Sequence, residues 1–224
     1  MRDRYLIVAD PLDKLDPTFD LGVCVSAELI RRGIPVDYLD LLATDPGQTV
    51  ERFLGTLPVR EIRGSDRGAR PFWDLGPERP TPVEEYRVIL QRKDPPVDKV
   101  YIRHHRPFER APADIIQVNR PPATYRLSEH TLHLRYPEWA APTVVCRSLD
   151  EVEAAVRSQE REAVLKPINT YCGIGVTFLA PDVPRDEIAD FWERWQPAVT
   201  VQPFLPAVRE SGPNPPRESA ARSR

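Results

Sequence analysis

No apolar run in this chain approaches the eighteen or so residues that a membrane-crossing helix needs, and the opening MRDRYLIVADP has too short an apolar stretch for a secretion signal. Both absences point to a cytoplasmic protein. Charge of one sign is lacking as well: 31 basic and 34 acidic residues leave a formal net charge of -3, so no global field favours nucleic acid or an anionic membrane. Partners are expected among small molecules and proteins. Cysteine is scarce. Cys24, Cys146 and Cys172 are odd in number and widely spaced, which fits neither a disulfide framework nor a paired-thiolate zinc site and suits a reducing compartment. The four histidines fall in two pairs, His104 with His105 and His130 with His133; carboxylates at matching spacing are missing, so surface or core histidines are expected rather than metal ligands. Internal repeats are absent.

What is present is enough apolar residue, 41% of 224, for one good core or two small ones. Tyr5 to Ala9 is a continuous apolar run of buried-strand type. Asp20 to Arg32 carries Val23, Ala27 and Ile30 at helical spacing and is stopped by Gly33, and Pro35 to Leu39 reads as the next strand. This is a βαβ unit, expected to be right-handed, opening a Rossmann-like sheet. Residues 41 to 84 are punctuated by Gly64, Gly68, Pro71, Gly76, Pro77 and Pro80 and predict a hairpin or a long loop. Tyr86 to Gln91 and Asp114 to Val118 restore the buried-strand pattern, so a first domain is expected over 1–120.

A second domain is expected over 121–208. Its order is strand 143–146, helix 150–159, strand 163–168, strand 176–180, helix 185–196 and strand 199–204, with both helices covering one face of a four-stranded antiparallel sheet. Residues 209 to 224 contain no large apolar side chain and predict a disordered tail.

Ligands of open α/β sheets bind beyond the carboxyl ends of the strands. Asp10 and Pro11 lie there after the first strand, and Arg92, Lys93, Asp94, Pro95 and Pro96 after the strand ending at Gln91. Arg92 and Lys93 offer donors suited to a carboxylate; the alternative is a charged loop stiffened by proline. In the second domain Lys166 ends a strand, and Gly173 and Gly175 lie in the next connection. That arrangement either sets an ammonium and backbone N–H groups against phosphate oxygens or simply makes a hairpin turn at positive φ.

The segments RVILQRKDPP (87–96), VNRPPATYRLSEH (118–130), VLKPINTYCGIG (164–175) and VQPFLPAVRESG (201–212), with the DP after the first strand, occur in the order found in bacterial glutathione synthetases of the ATP-grasp superfamily. The chain resembles that family from about residue 4 to Gly212. The resemblance implies a Rossmann-like pre-ATP-grasp domain followed by an α+β ATP-grasp small subdomain. It also implies the family's chemistry, in which ATP with magnesium phosphorylates the carboxylate of γ-glutamylcysteine and the amine of glycine attacks the acyl phosphate. Carried onto this sequence, Lys166 contacts ATP phosphate, the loop holding Asn169, Gly173 and Gly175 folds over the phosphates, and Gln202, Phe204 and Leu205 form the hinge against adenine. Arg92, Lys93 and Asp94 belong to the γ-glutamylcysteine side.

Departures from the family pattern are expected to weaken this. His130 stands where the family has a second ATP-contacting lysine, Thr170 and Cys172 replace loop glycines, and Pro203 removes a hinge N–H. The family's magnesium ligands belong to a later part that this sequence does not match. The resemblance therefore implies a truncated or frameshifted ligase, inactive alone, with no catalytic and no metal-ligating residue assigned. The alternatives are a nucleotide- or peptide-binding regulatory module, or one half of a split ligase completed by a partner chain or a homo-oligomer.

Overall fold

The computed structural model describes residues 3–127, 131–168, 170 and 173–207. The expectations for His130, Asn169, Cys172 and the tail 209–224 lie outside the described residues. The chain divides into two compact units, Met1–Arg126 and Leu127–Arg224. No helix among the described residues is long and apolar enough to cross a membrane.

The first unit runs β1 (Arg4–Ala9), α1 (Leu21–Arg31), β2 (Val36–Asp40), α2 (Val50–Gly55), β3 (Leu57–Ser65), β4 (Trp73–Thr81), β5 (Tyr86–Gln91), α3 (Lys99–His105), β6 (Ile116–Val118) and α4 (Pro121–Arg126). Its six strands lie in the order β4-β3-β2-β1-β5-β6. β1 is parallel to both β2 and β5, and β5 to β6, whereas β3 and β4 form an antiparallel hairpin on the side of β2. Alternation along β1 explains why it is apolar throughout: Leu6 and Val8 join one core with Phe53, Leu57 and Phe108, while Ile7 and Ala9 join another with Val23, Leu29 and Trp73. Helix α1 forms because Asp20 caps it, accepting from Val23 N at 3.0 Å, and because Val23, Ser26 and Leu29 recur on one buried face. Gly33, at φ 69°, ends it.

The second unit contains β7 (Val144–Cys146), α5 (Leu149–Arg157), β8 (Ala163–Pro167), β9 (Thr177–Leu179), α6 (Arg185–Trp195) and β10 (Val199–Pro203). The strands form an antiparallel sheet in the order β7-β10-β8-β9. Both helices pack on one face of it. Val152 and Val156 of α5 and Ile188 and Phe191 of α6 bury Cys146, Ala163, Leu165, Leu179, Val199 and Val201. Ser148 caps α5, and Glu151 Oε2 reaches back to Arg147 N at 2.6 Å, so the short helix starts at a fixed point.

Candidate functional site

In the first unit the chain leaves β1 for β2 on one side and returns to β5 on the other, so the winding reverses between β1 and β5. Such a reversal opens a crevice at the strands' carboxyl ends. Asp10 and the segment Arg92–Asp94 stand at that point. Asp10, only 5% exposed, accepts from Lys93 Nζ at 2.7 Å through one carboxylate oxygen and from Asp94 N at 2.8 Å through the other. Lys93 Nζ also donates to Asp94 O at 3.1 Å. Its charge is thus held by a carboxylate of the protein. Arg92 N extends the sheet by donating to Val8 O at 2.7 Å, while its guanidinium Nε is buried with no hydrogen-bond partner among the described residues. Gly22, in the first turn of α1, leaves room for the capping Asp20 carboxylate: a Cβ there would stand 2.9 Å from Asp20 Oδ1, against an ordinary 3.8 Å from Arg92 Cγ. Burial, reinforced by Asp10 and Asp20, raises the Asp94 carboxyl above the usual carboxylate range.

In the second unit, strand register decides which side chains share a face. Lys166 pairs with Thr200, Gln202 with Val164, and Phe178 with Val164, so Lys166, Gln202 and Phe178 all lie on the face opposite the two helices. Lys166 is half-buried, and its ammonium has no hydrogen bond or ion pair among the described residues. Burial lowers its proton affinity. The connection beyond it contains two glycines at positive φ with different surroundings. At Gly173 (φ 74°) a Cβ would meet nothing within 4 Å, whereas at Gly175 (φ 77°) it would strike the Trp195 ring at 2.6 Å and Pro167 at 2.8 Å. Gly173 therefore presents open backbone, and Gly175 serves packing. Farther along, Gln202 Nε2 donates to Thr143 Oγ1 at 2.7 Å, Phe204 N donates to Glu162 O at 2.9 Å, and the Phe204 ring meets Phe178 edge-on at 5.9 Å. Leu205 is 47% exposed. Among the described residues no three His, Cys, Asp or Glu side chains converge on a point where they could hold a metal ion.

The family description "Prokaryotic glutathione synthetase, N-terminal domain" matches residues 4–125, more than half of the chain, and "Prokaryotic glutathione synthetase, ATP-grasp domain" matches residues 129–212. The chain belongs to the prokaryotic glutathione synthetase family. It is 32% identical over 212 residues to the glutathione synthetase of Prochlorococcus marinus and 27% identical over 214 residues to that of Rhodopseudomonas palustris. Each alignment covers 92% of this chain but only 65% and 64% of the relative. The chain thus spans a little under two thirds of the length of these curated relatives. Among solved structures, the D-cycloserine synthetase DcsG (TM-score 0.55, 15% identity) and the VanG D-Ala:D-Ser ligase of Enterococcus faecalis (TM-score 0.56, 9% identity) share the fold. DcsG is matched over 91% of this chain and 60% of its own, VanG over 92% and 63%. The expected architecture, a Rossmann-like domain followed by an α+β ATP-grasp subdomain, is the one found.

Within this glutathione synthetase family member, Arg92, Lys93 and Asp94 come together with Asp10 at one crevice. Lys166 and Gln202 share one sheet face with Phe178, whose ring meets Phe204, whereas Gly175 packs against Trp195 and Pro167. Two contributors were not singled out as site residues from sequence. Asp10 organises the loop, and its signal was present in the DP following a buried strand. Phe178 supports Phe204 and stood unmarked in a strand.

Proposed function

We propose that this chain supplies the nucleotide-binding and acid-binding portions of an ATP-dependent carboxylate–amine ligase of the glutathione-forming type. The observation that carries the reading is Lys166: a half-buried ammonium with no partner among the described residues, on the sheet face opposite the two helices, near the end of the strand that leads into the connection holding Gly173. An isolated buried cation is costly, and an anion placed beside it would restore its affinity for the proton. On this reading Lys166, Asn169 and Gly173 hold the phosphates of ATP, Gly175 keeps the loop seated on Trp195, and Gln202, Phe204 and Leu205 border the adenine. When bound, ATP supplies the phosphoryl group that turns a carboxylate into an acyl phosphate. Magnesium accompanies the nucleotide in this proposal, but no cluster of ligands for it stands among the described residues, and no step is assigned to it.

The acid side rests on Arg92. With Lys93 already paired to Asp10, Arg92 is the cation left to meet a ligand carboxylate, while Lys93 and Asp94 hold the loop in place. The domain reading is 1–120 for the acid side and 121–208 for the nucleotide side, in a cytoplasmic protein. Titration calorimetry with γ-glutamylcysteine tests the acid half. Binding that weakens at least tenfold in Arg92→Ala is expected; equal affinity in the variant would overturn it.

A further inference from the structure

The first unit holds a second concavity whose lining shares no residue with the Asp10–Arg92–Lys93 cluster. It is a groove of about 630 Å³ between the residues leading into α2 and the face of α3 with the turn that follows it. Small-molecule sites are typically about 300–1,000 Å³. Its lining carries four cations: Lys99 and Arg103, four residues apart on α3, and Arg106 and Arg110 in the 3-10 turn that follows it. The carboxylates in the lining are Glu51 and Glu109, so the groove is net positive in a chain whose formal net charge is -3. None of the four cations forms a salt bridge within 4.0 Å, or a side-chain hydrogen bond, among the described residues. Some arginines of this unit are engaged, as Arg4 and Arg79 are with Asp37 and Arg31 and Arg32 are with Glu28, whereas Arg92 Nε, like the cations of the groove, has no partner among the described residues. Val50, Ile102 and Pro107 add apolar lining.

We propose that this groove binds a small, multiply charged phosphate-bearing anion. Like charges on adjacent helical turns repel, and a ligand whose oxygens lie between them removes that repulsion. Three of the four cations are guanidinium groups, whose planar donor fork matches phosphate oxygens in pairs. The concave shape and the near-neutral remainder of the chain favour a small molecule over a nucleic acid. The proposal is independent of the nucleotide reading above.

Inorganic tripolyphosphate is the probe, titrated into the full 224-residue chain by calorimetry at about 0.1 M salt, where exposed charges more than about 10 Å apart are screened. Saturable binding is expected. In a Lys166→Ala background, which takes away the phosphate contact proposed for the second unit, one saturable site should remain and should weaken at least tenfold when Arg103→Ala/Arg106→Ala is added, with melting temperatures equal to the parent's. If the double variant melts early, Lys99→Ala/Arg110→Ala carries the same expectation. Absence of saturable binding would overturn the proposal. So would loss of binding in Lys166→Ala with the arginine variants unaffected, since the probe would then occupy the phosphate site of the second unit. Displacement by a single-stranded oligoribonucleotide at lower concentration, with steep salt dependence, would reassign the groove to nucleic acid.

Discussion

Two glycines two residues apart illustrate how much depends on surroundings. Gly173 and Gly175 have nearly the same φ, yet only Gly175 faces a ring and a proline where a Cβ would go. Gly173→Ala is expected to cost about 1 kcal/mol, the penalty of a left-handed φ for an L-residue. Gly175→Ala is expected to cost about 2–4 kcal/mol, because Trp195 and Pro167 must also move. Urea unfolding of the two variants measures the difference, and equal losses would refute the packing role. His105 offers a second test. It is fully buried, its ring stacks on Tyr101 at 4.0 Å, and its Nδ1 lies 2.9 Å from Tyr101 O. A carbonyl only accepts, so Nδ1 carries the proton and Nε2 is left without a partner among the described residues. Burial first, then Lys93 and His104, push the imidazole down to about 4 from 6.5, against the opposing pull of the Tyr101 carbonyl and Asp10. The unfolded chain then binds more protons between those values. Stability contributed by neutral His105 is complete above pH 6.5 and is lost as pH falls toward 4, by an amount on the order of 3 kcal/mol. The stability difference between the parent and His105→Gln should therefore shrink in acid; a difference independent of pH would contradict this account.

At the scale of elements, one carboxylate ties four strands together. Asp37 of β2, fully buried, accepts from Arg4 of β1 at 2.9 Å, from Arg79 of β4 at 2.7 Å and from the Tyr86 hydroxyl of β5 at 2.7 Å. Burial and the neighbouring carboxylate raise the Tyr86 phenol well above its ordinary range, so it stays a donor. Asp37→Ala would strand two guanidinium groups and a buried hydroxyl, and is expected to cost about 3–5 kcal/mol in chemical unfolding; a loss below about 1 kcal/mol would contradict the network. The strands themselves were legible, because β1, β5, β8 and β10 are short apolar runs with clear ends. The punctuation of residues 41 to 84 by glycine and proline fits a hairpin and a long loop equally, and the hairpin of β3 and β4 is what forms. Pro77 and Pro80 interrupt β4, which the fold accommodates by placing β4 at the sheet edge and by a register shift that leaves Pro77 between the pairs Arg60–Glu78 and Ile62–Leu75. Helices α2 and α3 carry no periodic signal: at six and seven residues they are too short to repeat an apolar face. The cations of the groove, which sit on α3 and the turn after it, are hidden with them. At the candidate site, the positions of Arg92 to Asp94 and of Lys166 were legible from the rule that ligands gather at strand ends. Their partners were not. Lys93 and Asp10 are 83 residues apart, and only the adjacency of β1 and β5 brings them to 2.7 Å.

At the scale of the whole chain, two units of different architecture each carry a candidate site, one at a sheet's winding reversal and one on a sheet face. Each site keeps one cation unengaged, Arg92 Nε in the first and Lys166 in the second. The alignments with curated glutathione synthetases take in both units and about 65% of those proteins' length. Binding by this chain is therefore a question separate from ligation. The most direct measurement is equilibrium dialysis of the 224-residue chain against ATP up to millimolar concentration, with Lys166→Ala and Arg92→Ala in parallel. The account predicts saturable binding by the parent, a loss of at least tenfold in Lys166→Ala (about 1.4 kcal/mol) and no change in Arg92→Ala. Failure of the parent to bind, or identical affinity in Lys166→Ala, would contradict it.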